Sequence, residues 1–193
     1  QTVPIREDHP LVGQSPYAAS KIGADQMAIA YHRSFGLPVA ILRPFNTYGP
    51  RQSMRAVIPT IVAQALAGHE VRLGATGPTR DFNYVEDTVD AFLRAAEVPG
   101  AVGRVIQIGS GREISVGDLA QAILAQAAPG AKVVHDAGRV RPAASEVERL
   151  VADASQARAV LGWKPRTSLE EGLERTLAWF RTVATKRVER YAV

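Results

Sequence analysis

The stretch "SPYAASKIGADQMAIAYHRSFGLPVAILRPFNTYGP", residues 15–50, decides the fold. Ser15 followed by Pro16 reads as a helix start. A serine hydroxyl accepts from the orphan N–H groups of a first turn, and proline has no N–H to lose there. The helix should run to about Phe35 and stop at Gly36, with Pro38 beyond it. "VAILRP", Val39–Pro44, is then a short β-branched apolar run and reads as a buried strand. "FNTYGPRQ", Phe45–Gln52, is rich in turn residues and reads as a loop. Helix, strand and polar loop in this order make one repeat of an α/β chain, and ligands of open α/β sheets bind at the carboxyl ends of the strands.

The rest of the chain continues the alternation. Val57–Ala67 reads as a helix ended by Gly68, and "EVRLG" as a short strand. "RDFNYVED", Arg80–Asp87, leads as loop or strand into a helix, "DTVDAFLRAAE", closed by Pro99 and Gly100. "VIQIGSG", Val105–Gly111, is a second buried strand. Ser115 or its neighbour opens the helix "VGDLAQAILAQA", closed by Pro129 and Gly130, and "AKVVHDA" is another strand. "DASQARAVLGW", Asp153–Trp163, is a helix with Asp153 as N-cap candidate and a glycine stop. "SLEEGLERTLAWFRTVAT" is an amphipathic helix, and the final "KRVERYAV" is expected to fray. Strands alternating with helices predict an α/β fold with a parallel sheet and no internal repeat.

Composition bounds the function. The 193 residues suffice for one sizeable domain or part of a larger one, and 46% hydrophobic with 22% charged residues is ordinary for a soluble globular protein. The absence of cysteine excludes disulfides and thiolate metal sites and fits a reducing cytoplasm. His9, His32, His69 and His135 show no paired metal-ligand spacing, so no metal is expected. No apolar run approaches the about 20 residues needed to span a bilayer, and the polar start "QTVPIREDHP" does not read as a signal peptide. No membrane partner is expected. The net charge is +4, with only four lysines (Lys21, Lys132, Lys164, Lys186) among 23 basic residues. The arginines are interleaved with Asp and Glu, without a dense basic run, so nucleic acid is not an expected partner. Small anionic ligands such as nucleotide diphosphates need only two or three arginines. Residue 1 is Gln and the first ten residues read as the middle of a loop, so the chain reads as the downstream part of something longer.

Tyr17 and Lys21 are four residues apart and share one helix face. A free phenol has a pKa near 10 and is a poor base at pH 7; a neighbouring ammonium favours the phenolate. The pair so placed is an acid/base able to exchange a proton with a substrate alcohol. The same spacing also fits a packed tyrosine and a solvated lysine. Small intervening residues (Ala18, Ala19, Ser20), a strand after the helix and a polar loop at its carboxyl edge favour the functional reading.

Six motifs in order carry a family resemblance: "SPYAASK", "RPFNTYGPRQ", "TRDFNYVEDTVDA", "VIQIGSGREISVGDLA", "VRPAASEVERL" and "LGWKPRTSLEEGL". Together they resemble the extended short-chain dehydrogenases/reductases, the NAD-dependent nucleotide-sugar epimerases and dehydratases, across essentially the whole chain. The branch they look most like is the UDP-N-acetylglucosamine 4,6-dehydratases of legionaminic-type sugar pathways. The resemblance implies the C-terminal part of a Rossmann-like doubly wound parallel sheet plus a small nucleotide-sugar-binding α/β lobe. Residues 1–50 would be the rear of the Rossmann-like domain with the Tyr–Lys helix. Residues 51–193 would be mainly the sugar-nucleotide lobe, with 80–110 returning a helix and strand to the sheet. The glycine-rich cofactor turn is not found in the chain, so the N-terminal cofactor-binding half is expected to be absent.

The resemblance also implies roles. Tyr17 is the acid/base on the sugar 4-hydroxyl, and Lys21 holds the nicotinamide ribose of NAD. Pro44 and Phe45 sit beside the nicotinamide. Asn46, Arg80 and Arg141 meet the nucleotide-sugar diphosphate, and the backbone of Val71–Leu73 flanks the base. A homodimer through the Tyr-bearing helix is implied for the intact protein. Asn46 would equally suit a turn, Arg80 beside Asp81 an exposed ion pair, and Arg141 plain loop. Glu86 and Asp87 read as N-terminal partners of a helix dipole, and Trp163 and Trp179 as core. Two further readings stay open beside the dehydratase, a nucleotide-sugar 4-epimerase and a non-catalytic UDP-sugar-binding fragment. The chain alone is expected to be inactive and prone to aggregate.

Overall fold

The protein was analysed as a computed structural model, which describes residues 2–68, 70–140 and 146–184. The Tyr–Lys helix, α1 (Pro16–Phe35), has the caps its sequence announces. Ser15 Oγ accepts from Ala18 N at 3.1 Å, and Gly36 ends the helix at φ 69°. β1 (Ile41–Pro44) follows and pairs in parallel with β6 (Val105–Ile108). β2 (Asn46–Tyr48) pairs in parallel with β5 (Phe82–Tyr84), and β3 (Glu70–Leu73) with β8 (Lys132–His135). β4 (Thr79–Arg80) lies between β9 (Arg149–Leu150), parallel, and β7 (Ile114–Ser115), antiparallel. Between the strands run α2 (Val57–Ala67), α3 (Val85–Glu97), α4 (Val116–Ala127), α5 (Ser155–Leu161) and α6 (Leu169–Ala184).

The α/β reading holds, with local corrections. The loop expected at Phe45–Gln52 contains β2, because register with β5 (Asn46 opposite Phe82) satisfies its backbone. α3 starts at Val85 rather than Asp87. Asp153 is not the N-cap of α5. Ala154 is, and Asp153 Oδ1 accepts from Ser155 N at 2.8 Å. The pairing of β4 with β7 makes the sheets mixed rather than wholly parallel. The terminal "KRVERYAV" lies outside the described residues.

Two hydrophobic cores form. The larger packs α2, α4 and α6 on β3 and β5 through Ile58, Ile61, Val71, Leu119, Ile123, Leu173 and Leu177, all fully buried. Tyr48 reaches α6 at Gly172, where any Cβ would overlap its hydroxyl, which is why "LEEGL" carries a glycine inside a helix. The smaller core packs Ala91 of α3, Ile106 and Ile108 of β6, and Ala157 and Leu161 of α5 around Trp163. Trp163 Nε1 donates to Asp87 O at 2.9 Å, and Asp87 Oδ2 accepts from Thr167 N at 3.0 Å, so Asp87 serves structure.

Asp81 joins these parts. Its side chain is 0% exposed. Oδ1 accepts from Ser110 N (2.8 Å) and Ser110 Oγ (2.6 Å), and Oδ2 from Gly111 N (2.9 Å) and Ala152 N (3.1 Å). A Cβ on Gly109 would lie 2.5 Å from Ala152 Cβ and 2.8 Å from Asp81 Oδ2, so the "IGSG" turn needs glycine for this approach. Asp81→Ala leaves three backbone donors without an acceptor, a loss on the order of 3 kcal/mol or more. The expected result is a fall in melting temperature of roughly 6–12 °C, followed by circular dichroism. A fall of only a degree or two would contradict this role.

Glu113 pins the three-stranded ladder. It accepts from Thr79 Oγ1 of β4 and forms an ion pair with Arg149 of β9. The Arg149 and Thr79 hydrogen bonds hold its carboxyl at about 2 against an ordinary 4.5. A depressed carboxylate contributes stability above its unfolded pKa and loses it as pH falls through the folded value. Glu113 should therefore stabilise fully above about pH 4.5 and lose most of that contribution as pH falls to about 2. Glu113→Gln is expected to flatten the dependence of melting temperature on pH across that window. Asp153, lowered by its bonds to Ser155, keeps a residual slope in both proteins. Parallel curves for wild type and variant would refute the assignment.

Candidate functional site

α1 brings Tyr17 and Lys21 together as the spacing predicts. Tyr17 is 73% exposed, and Lys21 Nζ lies 5.6 Å from its ring centroid. Neither the phenol oxygen nor the ammonium makes a hydrogen bond or ion pair among the described residues. No residue of α1 is fully buried. Its tie to the strand layer is ionic: Arg43 Nε donates to Asp25 Oδ2 at 2.7 Å, with both side chains about four-fifths buried. Asp25 is one turn beyond Lys21 on the same face. Arg43 directly precedes Pro44 and Phe45, so this pair sets the Tyr–Lys face against the carboxyl end of β1. There Pro44 is exposed, Phe45 is half-buried, and Phe45 N donates to Ile108 O at 2.8 Å.

The tyrosines Tyr48 and Tyr84 are of a different kind. Burial above all raises both phenols, with the neighbouring carboxylates adding to it, so both stay protonated at neutral pH. Tyr48 donates to Leu169 O at 3.3 Å.

From Asn46 onward the chain enters a cleft of about 390 Å³, walled by Asn46, Gln52, Arg55, Thr60, Leu73, Arg80, Arg139 and Glu146 among others. Three residues singled out from sequence, Asn46, Leu73 and Arg80, thus meet in one place. Asn46 Nδ2 donates to Asp81 O at 3.1 Å. Val71 does not reach the cleft with its side chain, which is fully buried in the larger core. Arg141 lies outside the described residues. Arg80 pairs with Glu146 rather than with Asp81. Its Nη2 donates to Glu146 Oε1 at 2.7 Å, and Nη1 to Thr79 O (2.8 Å) and Val147 O (2.6 Å).

Gln52, Arg55, Asp25, Arg43 and Glu146 were not singled out from sequence. Asp25 carried a weak signal, a carboxylate one turn after Lys21. Gln52 donates from Nε2 to Thr47 O at 2.8 Å, while its Oε1 is buried without a partner. Among the described residues no group of three or more His, Cys, Asp or Glu is placed to hold a metal ion, and no helix is long and apolar enough to cross a membrane.

Residues 1–176 match the GDP-mannose 4,6 dehydratase family. A dTDP-glucose 4,6-dehydratase of Actinoplanes sp. is 36% identical over 177 residues, covering 91% of this chain and 54% of that protein. A UDP-glucose 4-epimerase of Mycolicibacterium smegmatis is 36% identical over 183 residues, covering 92% of this chain and 56% of its own length. The solved structure of TunA, an NAD-dependent NDP-hexosamine 5,6-dehydratase involved in tunicamycin biosynthesis, aligns with a TM-score of 0.85 at 34% identity. The alignment covers 94% of this chain and 58% of TunA. The chain spans about half the length of the curated relatives it matches.

The Asp25–Arg43 pair is open to a direct test. Arg43→Ala removes one partner of a largely buried ion pair, with a loss of about 1–2 kcal/mol. The melting temperature is expected to fall by roughly 2–8 °C. The double variant with Asp25→Ala should be less destabilised than the sum of the single variants. Strict additivity in that cycle would show that the two side chains do not interact.

Proposed function

We propose that this chain, which belongs to the NAD-dependent nucleotide-sugar dehydratases and epimerases of the extended short-chain dehydrogenase/reductase family, supplies the acid/base helix and the sugar-nucleotide cleft of a 4,6-dehydratase. The substrate we assign is of the UDP-N-acetylglucosamine type. The observation that carries the reading is the exposed Tyr17–Lys21 pair on the helix before β1, with Lys21 Nζ 5.6 Å from the Tyr17 ring centroid. The Asn46–Arg80 cleft begins at the residue after Phe45.

The residues present fit NAD. The Tyr17 oxygen and Lys21 Nζ make no hydrogen bond among the described residues, and only Ala18, Ala19 and Ser20 stand between the two residues, so the face is open to a ribose. Pro44 and Phe45 offer an apolar surface at the strand end for a nicotinamide ring. When bound, NAD supplies a site that takes up hydride from the sugar and returns it. Lys21 donates to a ribose hydroxyl and places positive charge beside the Tyr17 oxygen. Tyr17 accepts the proton of the sugar 4-hydroxyl as C4 becomes a ketone, which acidifies the hydrogen at C5. Loss of water across C5 and C6 then needs a further acid and base, which are assigned to no residue of this chain.

In this reading residues 1–50, with α3 and β6, belong to the Rossmann-like body, and 51–193 mainly to the sugar-nucleotide lobe. The exposed Met27, Tyr31 and Phe35 of α1 suit a homodimer contact. A second reading, a 4-epimerase using the same Tyr17 and Lys21, rests on the equal 36% identity to an epimerase and a dehydratase.

The test is incubation of the whole protein with UDP-N-acetylglucosamine and NAD, with products read by mass spectrometry. A keto product lighter by one water supports the dehydratase, and an isomer of unchanged mass supports the epimerase. No product with intact ligand binding would leave a binding module. Tyr17→Phe is expected to lower kcat by about 10²–10⁴-fold, the usual share of a positioned acid/base. Unchanged kcat in that variant would remove Tyr17 from the chemistry.

A further inference from the structure

We infer that Arg55 is the residue that reads the anionic group of the cleft's ligand, a nucleoside diphosphate, an assignment that rests on the nucleotide-sugar reading above. Among the described residues three arginines line the cleft: Arg55, Arg80 and Arg139. Two of them are already compensated. Arg80 is held by Glu146 at 2.7 Å and by two backbone carbonyls, and Arg139 Nε donates to Asp136 Oδ2 at 3.1 Å. The Arg55 guanidinium is exposed and makes no ion pair or hydrogen bond among the described residues. A ligand phosphate that used Arg80 alone would have to compete with a carboxylate that is only 15% exposed, and separating such a pair is costly. Binding at Arg55 displaces nothing.

The surroundings of Arg55 point the same way. α2 begins on Ala56 with no side-chain cap, and Ala56 and Val57 line the same cleft. The unfilled N–H groups of its first turn therefore add donors beside the guanidinium. Gln52, on the same segment, brings a buried Oε1 with no partner, an acceptor that a ligand hydroxyl or amide N–H can satisfy. One wall, from Gln52 to Thr60, thus presents a free cation, backbone donors and a lone acceptor. A phosphorylated ligand that also carries a hydroxyl or amide N–H matches that set; an uncharged ligand leaves the cation unused. Every described residue of the cleft comes from positions 46–146, and the test uses the whole protein.

Isothermal titration at low salt, with UDP as probe and uridine as control, tests the assignment. Arg55→Ala is expected to weaken UDP roughly tenfold to a hundredfold, as for loss of a charge-assisted contact, and to leave uridine unchanged. Arg55→Lys should recover part of the loss, and the melting temperature of both variants should match the wild type. UDP binding indifferent to Arg55→Ala would overturn the assignment while leaving the cleft reading intact. An equal loss of UDP and uridine would make Arg55 a structural residue and overturn it as well. Failure of the wild type to bind UDP would remove the cleft reading and the assignment together.

Discussion

The buried Asp81 carboxylate holds together segments that are far apart in sequence. It takes the N–H of Ser110 and Gly111 after β6, and that of Ala152 after β9. Its own N–H donates to Leu150 O at 2.8 Å. A carboxylate removed from water needs this many donors, because an unmet charge there costs several kcal/mol. The result is a joint between the ladder that walls the cleft and the β1–β6 pair beside the Tyr–Lys helix. Along the chain Arg80 turns to the cleft and Asp81 to the joint, the alternation of an extended backbone. The dipeptide "RD" therefore puts one side chain in the cleft wall and the other in the joint, and neither serves the other as an ion-pair partner.

The charged residues divide between holding the site and leaving it free. Asp25–Arg43 fixes a helix with no fully buried residue. Such a helix gains less from packing, so its caps and this ionic tie weigh more. Tyr17 and Lys21 share the face of Asp25, and their polar ends make no hydrogen bond or ion pair among the described residues. In the cleft, Glu146 holds Arg80 in place, whereas the Arg55 guanidinium makes no ion pair among the described residues.

Sequence reasoning located elements better than partners. The bounds of α1 and α2 were readable to the residue, since Ser15, Pro16, Gly36 and Gly68 act within one turn of themselves. β2 was hidden because a three-residue strand has no periodicity and exists only by its register with β5. Of the site, the Tyr17–Lys21 face and the meeting of Asn46, Leu73 and Arg80 were legible. Arg55 and Gln52 were not, lying in a segment whose pattern announces only a coming helix.

By itself, then, the sequence determined the order of helices and strands, the caps of α1 and the shared face of Tyr17 and Lys21. Each depends on residues at most a turn or two apart, where spacing dictates geometry. Tertiary structure alone decided that Arg80 faces Glu146, across 66 positions, and that Asp81 takes the N–H of Ala152, across 71. It also decided that Val71 points into the core. Contacts over such separations leave no periodic trace, because the chain between them can vary freely so long as the strands return in register.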